Sequence, residues 1–75
     1  MKKIIKFGAV WCAGCTSLDS LAIDGLKFAE SIDVDSNPEY LKKYDIKKLP
    51  TVIILENDIE VERIIGKTDI VTYFS

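Results

Sequence analysis

The chain has 75 residues, 48% hydrophobic and 29% charged, with a formal net charge of −2 and no histidine. That length suits one domain, residues 1–75, near the lower limit for a self-sufficient core, and the composition is globular rather than disordered. The slight acidic balance argues against a nucleic-acid partner, and the lack of histidine excludes Ser-His and Cys-His catalytic pairs and the commonest metal ligand.

The N-terminal run Met1-Lys2-Lys3-Ile4-Ile5-Lys6-Phe7 is basic but carries neither a long apolar stretch nor a small-residue cleavage site. No segment approaches the roughly 20 apolar residues of a membrane span, so the expected location is the cytoplasm, away from membranes. A permanent structural disulfide is disfavoured there, and a close cysteine pair points to redox or metal chemistry.

Lys3 to Phe7 reads as a short strand leading into Gly8-Ala9-Val10-Trp11. After Cys12 the spacing becomes helical: Cys15, Leu18 and Ala22, with Leu21 beside them, share one face of a helix running to about Ile23. Asp24-Gly25 supplies its stop. Leu26 to Val34 reads as a second strand, closed by the polar turn Asp35-Ser36-Asn37-Pro38. Asn37 can cap a following helix and Pro38 suits its first position, with Leu41 and Tyr44 as the buried stripe.

Thr51 to Leu55 is an unbroken β-branched and aliphatic run, the pattern of a strand buried on both faces. Glu56-Asn57-Asp58 forms a hairpin turn, and Ile59 to Ile65 returns as a charged-and-apolar strand suited to a sheet edge. From Thr68, Ile70, Val71 and Phe74 line one side of a last short helix. The order βαβαββα predicts an α/β fold: a four-stranded mixed sheet with helices on both faces. Lys42-Lys43 and Glu60 to Arg63 read as solvated faces, and Tyr40, Tyr44 and Phe74 as core packing.

The chemistry concentrates in Trp11-Cys12-Ala13-Gly14-Cys15, between a strand and a helix. A cysteine at a helix N-terminus meets unpaired N–H groups and the positive end of the helix dipole, which favour the thiolate nucleophile. Cys15 follows about one helical turn later on the same face, where it can resolve a mixed disulfide formed at Cys12. Two competing readings stay open: a structural thiol pair, and a metal or iron–sulfur site. With two cysteines and no histidine, the second needs another chain or an outside thiol. An interaction domain with incidental cysteines is a third.

These segments resemble the thioredoxins and related small redoxins. Trp11-Cys12-Ala13-Gly14-Cys15 is similar to their Trp-Cys-x-x-Cys site, Ile32-Asp33-Val34-Asp35-Ser36-Asn37-Pro38 to the segment after their second strand, Leu49-Pro50-Thr51 to their cis-proline loop, and Gly66 to a glycine after the last strand. The resemblance implies a minimal thioredoxin fold and a dithiol–disulfide oxidoreductase in which Cys12 attacks and Cys15 resolves. It implies a cis Pro50 beside the sulfurs, a Leu49 backbone that binds an extended partner segment, and a rim of Trp11, Ala13 and Gly14, with Gly66 permitting close approach. The expected partners are protein disulfides and an external reductant, either a thioredoxin-reductase-like enzyme or glutathione; the protein is expected to work as a monomer, with no cofactor and no metal.

The chain departs from the pattern in being short, in its Ala13-Gly14 dipeptide without proline, and in Lys6 and Ser31, which stand where thioredoxins bury an aspartate and its lysine partner. An ammonium at Lys6 would favour thiolates by opposite charge, although the expectation is a head group in solvent. Lys47 and Lys48, before Leu49-Pro50, leave a glutaredoxin-like, glutathione-dependent alternative, in which they would pair with a glutathione carboxylate.

Overall fold

The computed structural model describes residues 2–20 and 30–74. Seven elements follow the predicted order: β1 (Lys2–Gly8), α1 (Ala13–Ser20), β2 (Glu30–Asp33), α2 (Glu39–Lys43), β3 (Thr51–Glu56), β4 (Ile59–Ile65) and α3 (Lys67–Phe74). The expected continuation of the first helix to Ile23, its Gly25 stop and the Leu26 start of the second strand lie outside the described residues.

The strands form one mixed sheet in the order β2-β1-β3-β4. β1 pairs with β2 in parallel, while β1–β3 and β3–β4 are antiparallel. The helix-linked strands β1 and β2 are thus parallel neighbours, as a crossover connection requires. β2 and β3, also linked through a helix, are not neighbours; β1 lies between them.

β3 is buried from Thr51 to Leu55, because it is an inner strand covered on both faces. Ile53 and Leu55 join Ile5, Phe7, Val34 and Ile46 on one face, where the half-buried Tyr40 and Tyr44 of the α2 segment pack. The Phe7 and Tyr44 ring centroids are 5.4 Å apart, and Tyr40 stacks on Tyr44 at 5.8 Å. Val52, Ile54 and Ile64 face the other way, against Ile70, Val71 and Phe74 of α3. Burying a side chain of the size of Phe7 or Ile53 contributes roughly 1.5–3 kcal/mol. β4 takes the sheet edge, with Ile59 and Val61 exposed. The hairpin turn lies at Asn57 (φ 52°) and Asp58 (φ 69°), left-handed positions that Asn and Asp tolerate well.

Three local expectations are corrected. Leu41 is exposed rather than part of a buried stripe, because α2 has only five residues and turns just its tyrosines to the sheet. Asn37 does not cap α2; its side-chain amide donates to the Asp33 carbonyl at 3.0 Å, and Pro38 takes the cap position without a side-chain bond. Arg63 is not merely solvated. Its guanidinium donates to the carbonyls of Tyr44 (2.5 Å) and Asp45 (3.0 Å) and to both Glu60 carboxylate oxygens, tying the end of α2 to the edge strand.

Candidate active site

Strand register gathers the predicted site at one end of the sheet. Gly8 pairs with Asp33, Phe7 with Thr51, and Thr51 with Ile65. The cysteine loop after β1, the turn after β2, the loop before β3 and the turn after β4 therefore converge there.

Cys12 and Cys15 are joined in a disulfide, with Cα atoms 5.2 Å apart. Cys12 stands directly before α1, its amide donating to the Ala9 carbonyl at 3.1 Å and its carbonyl accepting from the Thr16 amide at 3.1 Å. The Cys15 amide donates to Cys12 Sγ at 3.2 Å. The sulfur thus takes the place of a capping oxygen at the helix N-terminus, and negative charge that develops on it meets an N–H and the positive end of the helix. No acidic residue occupies the first turn of α1 to oppose that charge. Cys12 is 8% exposed and Cys15 3%, so the first cysteine is the more accessible residue.

Trp11 is 68% exposed and Val10 84%, which puts two large apolar side chains at the surface beside a nearly buried disulfide. The Trp11 indole N–H donates to Asp35 Oδ2 at 2.7 Å, anchoring the cysteine loop to the turn after β2. Ala13 is exposed and Gly14 half-buried. The Leu49–Pro50 bond is cis, as the resemblance implies, and the buried Pro50 ring lies against the start of α1: a Cβ on Gly14 would stand 3.3 Å from Pro50 Cδ. Leu49 is half-buried against the core. Gly66 (φ +94°) donates its amide to the Pro50 carbonyl at 2.9 Å, and the Thr51 hydroxyl donates to the Lys48 carbonyl at 2.6 Å. Trp11, Cys12, Ala13, Gly14, Cys15, Leu49, Pro50 and Gly66 thus all lie on the converging loops or at the start of α1.

Gly8 is a position that the motif reading missed. A Cβ there would lie 3.1 Å from Cys15 Cβ and 3.2 Å from its Sγ, so only glycine lets the second cysteine pack this closely on β1. A glycine ending a strand is the sequence signal for such an approach. Asp35 is another; its bond to Trp11 spans 24 residues, beyond the reach of local pattern.

Lys6 stands at the edge of the site. It is half-buried, because β1 is an inner strand, and it shares with Cys15 a cleft of about 300 Å³ also lined by Gly8, Val10, Thr16, Ser31 and Asp33. Burial pushes its amine below the ordinary 10.5. Ser31 sits beside it in register and is exposed. Lys47 and Lys48 are exposed as well, Lys47 within 3.8 Å of the Asp45 carboxylate.

Both sulfurs are engaged with each other, and among the described residues no group of three or more His, Cys, Asp or Glu could hold a metal ion. Nor is any helix among the described residues long and apolar enough to cross a membrane.

The family model described as thioredoxin matches residues 1–74. The chain is 34% identical over 68 residues to thioredoxin H5 of Oryza sativa subsp. japonica, covering 84% of this chain and 50% of that protein. It is 33% identical over 70 residues to a thioredoxin of Staphylococcus epidermidis, covering 85% of this chain and 67% of that one. It therefore spans about half the length of the rice relative and two thirds of the bacterial one. The crystal structure of the reduced Schistosoma mansoni thioredoxin pre-protein superposes with a TM-score of 0.79 at 26% identity, covering 99% of this chain and 79% of that one. These matches favour thiol–disulfide exchange over the glutathione-dependent and metal-binding alternatives. With its cysteine pair at the head of α1, its cis-proline loop and its mixed four-stranded sheet, this chain belongs to the thioredoxin family.

Proposed function

We propose that this protein is a small dithiol–disulfide oxidoreductase that reduces protein disulfides and acts as a single domain over residues 1–75. The observation that carries this reading is the Cys12–Cys15 disulfide, held at the N-terminus of α1 with Cys12 Sγ accepting the Cys15 amide.

In the reduced protein the Cys12 thiolate attacks one sulfur of a target disulfide. The target S–S bond breaks, and its electron pair leaves with the second target sulfur, which takes a proton from water. Cys15, as thiolate, then attacks Cys12 Sγ. This forms the Cys12–Cys15 bond and expels the first target sulfur as a thiolate. The target gains two electrons and the protein pair loses two. An external reductant, a thioredoxin-reductase-like enzyme or glutathione, returns them.

Cys12 is the attacking residue because it is the more exposed cysteine and its sulfur accepts the Cys15 N–H. Trp11, Ala13 and Gly14 frame the sulfur, while Leu49, Pro50 and Gly66 offer a backbone ledge to which an extended target segment adds as a strand. The role fits electron transport and redox homeostasis in the cytoplasm, carried out by a monomer without a cofactor.

The test is the initial rate of reduction of a model protein disulfide with dithiothreitol as donor. The native chain accelerates it, Cys12→Ser abolishes the acceleration, and Cys15→Ser accumulates a mixed disulfide at Cys12. No acceleration by the folded native chain would overturn the assignment, and an adduct that forms without Cys12 would reverse the order of attack.

A further inference from the structure

Lys6 and Gly8 lie two residues apart on β1, so their side-chain positions fall on the same face of the sheet. At Gly8 that face is filled by the Cys15 side chain. Lys6 holds the next position along the same row, about 7 Å away by strand geometry, and lines the same cleft as Cys15. Cys15 is 3% exposed, and in the reading above it must become a thiolate to resolve the mixed disulfide. A charge formed in such surroundings is costly unless an opposite charge faces it.

We propose that Lys6 is the positioning residue for the resolving step, its ammonium stabilising the Cys15 thiolate across the shared cleft. This inference rests on the oxidoreductase reading for its role in turnover. The Cys15 proton passes to water in the cleft and Lys6 keeps its own. The thiolate then forms the Cys12–Cys15 bond, and the partner sulfur leaves with the electron pair of the broken bond.

Among the described residues, other groups also line this position. Ser31 of β2 is in register with Lys6 and Asp33 with Gly8; both line the cleft, and Asp33 Oδ1 already accepts the Asp35 amide at 2.9 Å. On β3 the residue opposite Lys6 is the buried Val52. α1 contributes Thr16 to the lining and carries Asp19 one turn beyond Cys15 in sequence. α3 brings Lys67 up to Gly14. Partial burial lowers the Lys6 amine from 10.5.

The test uses Cys12→Ser, which leaves Cys15 as the sole thiol, and follows thiolate ultraviolet absorbance against pH. Adding Lys6→Gln should raise the Cys15 midpoint by about one pH unit, about tenfold less thiolate below it. Lys6→Arg should restore the midpoint, and Asp33→Asn should lower it. The Lys6→Gln shift should persist when Asp19→Asn is also present. An unmoved midpoint in folded Lys6→Gln, or a shift that vanishes with Asp19→Asn, would overturn the proposal.

Should Lys6→Gln not fold, Lys6→Met takes its place, keeping an apolar stem of similar length without the charge: its midpoint should rise likewise, and an unmoved midpoint refutes the attraction. Because the titration involves no substrate, its outcome is separate from the turnover assay. A native chain that reduces no disulfide overturns the function and leaves the Lys6 effect on Cys15 to be read independently.

Discussion

Replacing Gly8 with alanine tests whether the sheet limits the space of the second cysteine. Gly8 is not among the positive-φ glycines, so alanine fits the backbone, and losing glycine's flexibility stabilises the folded state by roughly 0.5–1 kcal/mol. Against this, the new methyl would stand 3.1 Å from Cys15 Cβ and 3.2 Å from Sγ, where carbon contacts normally settle at about 3.5–4.0 Å. Overpacking of this kind costs roughly 1–3 kcal/mol. The expected net loss in the oxidised protein is about 1 kcal/mol, or roughly 4–8 °C in Tm for a domain of this size. In the dithiol form Cys15 Sγ is no longer tied to Cys12 and can rotate away, leaving chiefly the Cβ contact. The reduced protein should therefore lose about 0.5 kcal/mol less, and the reduction potential should rise by about 10 mV. Urea unfolding of both forms and equilibration with a glutathione couple measure the two sides of one thermodynamic cycle. An oxidised Gly8→Ala protein as stable as the native one would refute the argument.

Other substitutions probe the surrounding framework. Gly66→Ala meets nothing within 4 Å, so its cost is only that of a side chain at φ +94°, about 1–2 kcal/mol; a thermal melt unchanged from native would refute this. Arg63→Ala removes the bonds to the Tyr44 and Asp45 carbonyls and to Glu60, and should cost about 1–2 kcal/mol in urea unfolding, with Arg63→Lys failing to rescue because lysine has no planar fork. The Arg63 hydrogen bond holds the Glu60 carboxyl below its ordinary 4.5. The stability linked to that shift is present above pH 4.5 and is lost as pH falls through the lower folded value. Since Glu60 is exposed, the effect stays under about 1 kcal/mol, and the stability gap between native and Glu60→Gln should narrow on acidification from neutral pH. Asp35→Ala should change the emission of Trp11, the sole tryptophan, and cost about 1 kcal/mol or less; an unchanged spectrum would exclude the indole–carboxylate bond in solution.

Much of this protein was legible in its residues because the governing physics is local. The β-branched run Thr51–Leu55 marked an inner strand, Asn57-Asp58 a turn, and the switch to helical spacing after Cys12 placed two cysteines one turn apart. Local reading failed where a short segment had to choose among neighbours: Leu41 on the five-residue α2 turned to solvent, and Asn37 bonded back to Asp33 instead of capping the helix. Only the tertiary structure decided that β1 lies between β2 and β3, that Gly8 makes room for Cys15, that Trp11 meets Asp35, and that Lys6 shares a cleft with Cys15. Each of these follows from packing between segments distant in sequence, where strand register and shared burial, rather than the propensity of any one stretch, set which groups meet.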